Sequence, residues 1–80
     1  MLTKYIEAAM ATALYEQIED GTWFGSVPVL PGAWANAPTL DACKIEMREV
    51  AEDWILVGLR EGDKLPVING ISLNVAETAV

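Results

Sequence analysis

The apolar positions of this chain recur at two spacings, and the change from one to the other marks its elements. In "LTKYIEAAMA", residues 2–11, Leu2, Ile6, Ala9 and Met10 fall near one face of a helix, and the composition favours that state. From residue 13 the pattern is open to two readings. "ALYEQIE" can continue the helix, or it can alternate as a strand with Leu14, Glu16 and Ile18 on one side and Tyr15, Gln17 and Glu19 on the other. The following Asp20-Gly21 is a strong hairpin signal, and a hairpin needs two strands. Residues 13–19 are therefore expected to pair with 22–28, where "TWFGSV" is rich in aromatic and β-branched residues. Pro28 and Pro31 lack the donor that a sheet interior requires and end the second strand. "AWANA", residues 33–37, is expected as a short third strand of the meander.

Pro38 and Thr39 open the clearest element, a helix over 40–61 with Thr39 as its N-cap and Asp41 in its first turn. Leu40, Cys43, Met47, Val50, Ala51, Trp54 and Val57 form one apolar stripe, which Ile55 and Leu59 widen. Lys44, Arg48, Glu49, Glu52, Asp53 and Arg60 lie opposite. Gly58 is a weak point within the helix and Gly62 its expected stop. A turn at Asn69-Gly70 then leads into a last strand within 68–75, where Ile71, Leu73 and Val75 alternate with polar or small residues.

These elements predict an α+β domain of two layers: a small, largely antiparallel sheet with one long helix on one face, preceded by a short N-terminal helix. A helix of roughly 20 residues spans about 30 Å, enough to cover such a sheet. The inward strand residues are expected to be Leu14, Ile18, Phe24 and Val27, or their alternates. Residues 1–80 make a single domain, with no internal repeat or linker.

Composition changes this picture in one respect. A domain this short buries about 60% of its unfolded surface and usually needs support from disulfides, metals or self-association. Cys43 is the only cysteine and there is no histidine, so a disulfide within the chain is excluded and a structural zinc site is disfavoured. With 52% hydrophobic residues and three tryptophans, self-association as a dimer or tetramer is the expected support.

Charge narrows the partners. Twelve acids against five bases give a net charge of −7, which opposes direct nucleic-acid binding and favours basic proteins. No apolar run reaches the length of a membrane span and no basic segment precedes an apolar one, so the expected location is cytoplasmic.

Candidate chemistry is sparse. Ser26 and Ser72 have no histidine to activate them, and Cys43 lies on the apolar stripe, where a buried structural thiol is expected. Glu46, Glu49, Glu52 and Asp53 are interleaved with Lys44 and Arg48, as in a solvated ion-pair ladder rather than a metal site. "FGSVPVLPG" is too rich in proline to cradle a phosphate. No enzyme, cofactor or metal is expected. The aromatics say more. Trp23 and Phe24 are adjacent and must face opposite sides of a strand, so one ring is either exposed or covered by the N-terminal helix. Trp34 follows a rigid loop containing Pro31. Trp23, Phe24, Pro31 and Trp34 are the candidate protein-interface residues, since large rings dominate such contacts.

The run "YEQIEDGTWFGSVPVLPGAWANAPTLDAC", together with Leu65 and Pro66 after the helix, resembles the HicB-like antitoxins of bacterial toxin–antitoxin systems over about residues 12–66. Pro28, Leu30, Pro31 and Gly32 match that family's loop and Thr39 its helix cap, while Ala33 and Ala37 depart from a common cysteine and glycine. The resemblance implies a β-β-β-α-β fold, a degraded ribonuclease H-like domain without its catalytic carboxylates. It also implies oligomers, and a role in binding and neutralising a small basic HicA-type toxin that cleaves RNA. The alternative is an orphan homo-oligomeric relative with another partner or a small ligand. With no basic segment after the last expected strand, neither a DNA-binding domain nor autoregulation by DNA binding is expected.

Overall fold

The computed structural model describes residues 2–72. Helix α1 (Leu2–Met10) is followed by strands β1 (Leu14–Gln17), β2 (Trp23–Ser26) and β3 (Trp34–Ala37), and then by the long helix α2 (Leu40–Glu61). The strands form one antiparallel meander in the order β1-β2-β3. This is the α+β architecture expected from the periodicity, with strands shorter than their apolar runs.

The reasons for the shortening lie in the turns. Ile18 and Thr22 close the first hairpin, the Gly21 amide donates to the Ile18 carbonyl, and Gly21 has φ 86°. Three residues, Glu19 to Gly21, thus make the loop, and its left-handed glycine fits the common three-residue hairpin. At the other end of β2 the chain folds back at once. The Leu30 amide donates to Val27, the Ala33 amide to Leu30 and the Val27 amide to Ala33, forming a corner in which Val27 and Leu30 are buried. The prolines of this corner lie where no sheet donor is required.

Register decides which residues share a face. Tyr15, Gly25 and Ala35 lie opposite one another, as do Gln17, Trp23 and Ala37. This side meets α2, with Gly25, Ala35 and Ala37 buried. Leu14, Ser26 and Trp34 form a row on the other side, as do Glu16, Phe24 and Asn36. Leu14 and Phe24, expected inward, point outward, and it is their alternates that line the core. Small residues permit the helix to approach. A Cβ at Gly25 would lie 2.9 Å from the Tyr15 ring and 3.2 Å from the Cys43 Sγ.

Helix α2 is capped at both ends by local chemistry. The Thr39 side chain accepts from the Ala42 amide at 3.1 Å. At the C-terminus Gly62 adopts φ 76°, its amide donates to Leu59 and that of Asp63 to Gly58, which is the Schellman arrangement. The buried row is Cys43, Met47, Ala51, Ile55 and Gly58. The stripe is thus rotated from the expected one: Ile55 replaces Trp54 at its centre, and Val57 is 51% exposed. Trp54 lies half-buried at the flank because its indole N–H reaches the Pro31 carbonyl at 3.0 Å, a bond unavailable from the core. Gly58 makes room for the buried Leu65, whose Cδ2 would meet an added Cβ at 2.6 Å.

Helix α1 packs on α2 through Tyr5, Ile6, Ala8 and Ala9. Tyr5 replaces Leu2 in the expected face; it is fully buried and donates its hydroxyl proton to the Pro66 carbonyl at 2.5 Å. The turn at Asn69-Gly70 is present, with both residues at positive φ and Ile68 bridged to Ile71. The remainder of the expected last strand, 73–75, lies outside the described residues.

Replacing Gly25 by Ala should destabilise the chain by about 1–3 kcal/mol, the usual penalty for overfilling a packed core. Urea unfolding measures it. A loss below about 0.5 kcal/mol, within the range of neutral substitutions, would show that Tyr15 and Cys43 yield the space.

Candidate protein interface on the outer sheet face

The side of the sheet away from α2 carries the exposed Trp34 and the half-buried Phe24. Phe24 and Trp34 are diagonal neighbours on β2 and β3, and their rings stack with centroids 5.9 Å apart and planes inclined by 20°. Trp34 is 58% exposed and Leu14, in the same row, 62% exposed. Ile18, at the start of the hairpin loop, is 39% exposed. Helix α1 packs against α2 and leaves these residues uncovered. The expectation that one of the adjacent rings must lie outside thus has a definite answer: Trp23 turns inward, half-buried beneath α2, and Phe24 turns outward.

A polar network borders the rings. The Asn36 amide donates to the Thr22 Oγ1 at 2.8 Å and to the Trp23 carbonyl at 3.0 Å. Thr22 in turn donates to Asp20 from both its hydroxyl, at 2.6 Å, and its amide, at 2.9 Å. These bonds favour the ionised carboxylate, so the Asp20 pKa lies below its ordinary value, chiefly through the Thr22 side chain. Glu16 shares a row with Phe24 and Asn36. The sequence supplies no counter-ion here. Between Lys4 and Lys44 there is no lysine or arginine, whereas Glu7, Glu16, Glu19, Asp20 and Asp41 fall in that interval.

The bases belong to the other layer. Lys44 lies over the Tyr15 ring, 5.9 Å from its centroid, and Arg48 pairs with Glu52 at 3.5 Å in a half-exposed bridge of small energetic weight. This is one rung of the expected ladder; Lys44 leaves it for the ring. Cys43 is buried, and burial, with Glu46 nearby, raises its thiol pKa, which opposes the thiolate that nucleophilic chemistry needs. No group of three or more metal-binding side chains is found among the described residues. None of the described helices is long and apolar enough to cross a membrane.

Of the four candidate interface residues, the structure brings together Phe24 and Trp34. Trp23 lies on the opposite face of the sheet, and the exposed Pro31 lies at the corner beside Trp54, lining neither. An open groove runs past that corner between Gly32, Ala33 and the second half of α2, with Val50, Trp54 and Leu65 in its walls. Leu14, Glu16 and Asn36 join the face without having stood out in the sequence as interface residues. Their signal is register: each lies directly across from a residue in the row of Phe24 or Trp34.

The fold is that of a small α+β module with an uncovered, partly apolar sheet face, and comparison with known proteins gives it a family. The UPF0150-like family matches residues 4–66, and the chain belongs to that family, which is related to the HicB-like antitoxins. Among solved structures, TTHA0281 from Thermus thermophilus is similar, with 38% identity, a TM-score of 0.84 and 90% of each chain covered. A search of the curated proteins returns no match.

Thr22→Val should raise the Asp20 pKa towards its ordinary value, read from the side-chain carboxyl resonance in a pH titration. Because the folded pKa is depressed, whatever this network adds to stability is present above the unfolded pKa and disappears as pH falls through the folded one. An unmoved Asp20 resonance in the variant would rule out Thr22 as its partner.

Proposed function

We propose that this chain is a non-enzymatic protein-binding module of the antitoxin kind, which neutralises a small basic RNA-cleaving toxin of the HicA type by direct contact. One observation carries the reading: an exposed tryptophan, stacked on a half-buried phenylalanine, stands on a sheet layer that has acids and no base. Exposed rings supply contact area at low entropic cost, and a uniform negative field steers and selects basic partners. Membership of a family related to the HicB-like antitoxins supports the same reading. Blocking a toxin requires only that its RNA surface be covered, so the binder needs no catalytic group.

A second reading, an orphan homo-oligomer with another partner, draws support from the outward side of α2. Leu56, Val57 and Leu59 are exposed there in one stretch, and burying them against a second copy is a plain route to a dimer or tetramer. Self-association through α2 is compatible with either partner, because the outer sheet face and the outward side of α2 lie on opposite sides of the molecule.

Co-expression tests the first reading. A small basic protein encoded beside this chain should arrest growth when induced alone and cease to do so when this chain is present. Arrest that persists at equal expression of both proteins overturns the antitoxin role. Light scattering at micromolar concentration should give at least a dimer, and a monomeric mass removes the self-association.

A further inference from the structure

We propose that the outer sheet face, centred on Trp34, Phe24 and Glu16, is the docking site for the basic partner, and that it takes an arginine-bearing, partly aliphatic protein surface rather than a second copy of this chain. The inference rests on the partner-binding reading above and assigns it a place. Its first ground is shape and polarity. Leu14, Ser26 and Trp34 make one row across the three strands, and Glu16, Phe24 and Asn36 the next. Trp34 on β3 and Glu16 on β1 thus flank Phe24, whose ring covers the side of the indole nearest it. A planar guanidinium can lie on the free face of Trp34 while a second basic side chain pairs with Glu16, and aliphatic neighbours cover Leu14 and Ile18.

The second ground is charge. Thr22 hydrogen-bonds Asp20, and Asn36 ties that turn to the outer face. Glu16 lies directly across from Phe24, Glu19 and Asp20 stand in the adjoining turn, and no base occurs on any strand or intervening turn. A second copy meets this face badly through its own sheet or through α2. Sheet against sheet brings the same carboxylates together without a cation, and α2 carries six acids against three bases between Leu40 and Glu61. Like charges across an interface disfavour the wrong partner. A basic protein surface removes the repulsion and pairs the acids.

The test uses the full chain labelled with nitrogen-15 and two blocked helical peptides, one alternating leucine and arginine at helical spacing, the other with glutamate for arginine. The arginine peptide should shift the Trp34 indole and the Glu16 and Phe24 amides, with an affinity that falls as salt rises. Trp34→Ala and Glu16→Gln should each weaken binding about fivefold, in line with a desolvated cation–π or charge-assisted contact. Glu16→Gln keeps the strand intact, so its result stands even where the tryptophan variant folds poorly. Shifts confined to α2 or to the groove beside Pro31 overturn the proposal, as does an equal response to the glutamate peptide. Resonances of the outer face that move with protein concentration alone, in the absence of peptide, assign it to a second copy and overturn it too. The co-expression result stays separate. A toxin relieved equally by wild type and Glu16→Gln removes this face and keeps the antitoxin role, whereas peptide docking here without toxin relief does the reverse.

Discussion

The arrangement of this molecule turns on how closely α2 lies against the sheet. At Gly25 there is no space for a methyl group, because the Tyr15 ring and the Cys43 Sγ already occupy it. Ala35 and Ala37 keep the neighbouring strand equally low beneath the helix. Small residues on that side allow the backbones to approach and bury the row from Cys43 to Gly58 against them. Tyr15 and Trp23 share that side with these small residues, while the alternation along β2 and β3 places Phe24 and Trp34 on the outer one. Core packing and exposed aromatic surface are thus two results of one alternation along β2 and β3.

The rest of the fold secures that contact from its ends. Thr39 and Gly62 fix where α2 begins and stops, and Leu65 folds back over Gly58. Tyr5 reaches Pro66 from α1, tying the first helix to the segment that follows the last. Trp54 does the same for the corner by bonding to Pro31. Each of these last two ties joins segments distant in sequence through a backbone carbonyl, a useful economy in a domain with little interior to spare.

Much of this was legible in the residues. The order of elements followed from the change of period, the cap from Thr39, the helix stop from Gly62 and the hairpin from Asp20-Gly21. What could not be read was rotation: which side of each strand and which line along α2 faces inward. Leu14 and Ile18 are as apolar as any core residue, yet they are exposed, because the register puts Tyr15, and not them, on the side of Gly25 and Ala35. Trp54 and Ile55 are adjacent and both apolar; Ile55 falls in the buried row with Cys43, Met47 and Ala51, and Trp54 bonds from the flank to Pro31. The site was half legible for the same reason. Adjacency showed that Trp23 and Phe24 must part, but choosing between them required the register of the strands against α2. Glu16 and Asn36 join the site through pairing partners on other strands, which a linear reading does not display.

The separation of charge between the layers has a practical side. Trypsin cuts after lysine and arginine, and none occurs from residue 5 to residue 43. The whole sheet and both of its turns therefore remain in one fragment ending at Lys44, however long the digestion. In any map of cross-links or labels made with that protease, the two faces of the sheet report as a single peptide. Telling them apart requires an enzyme that cuts at acidic or aromatic residues, the very side chains that make one face differ from the other.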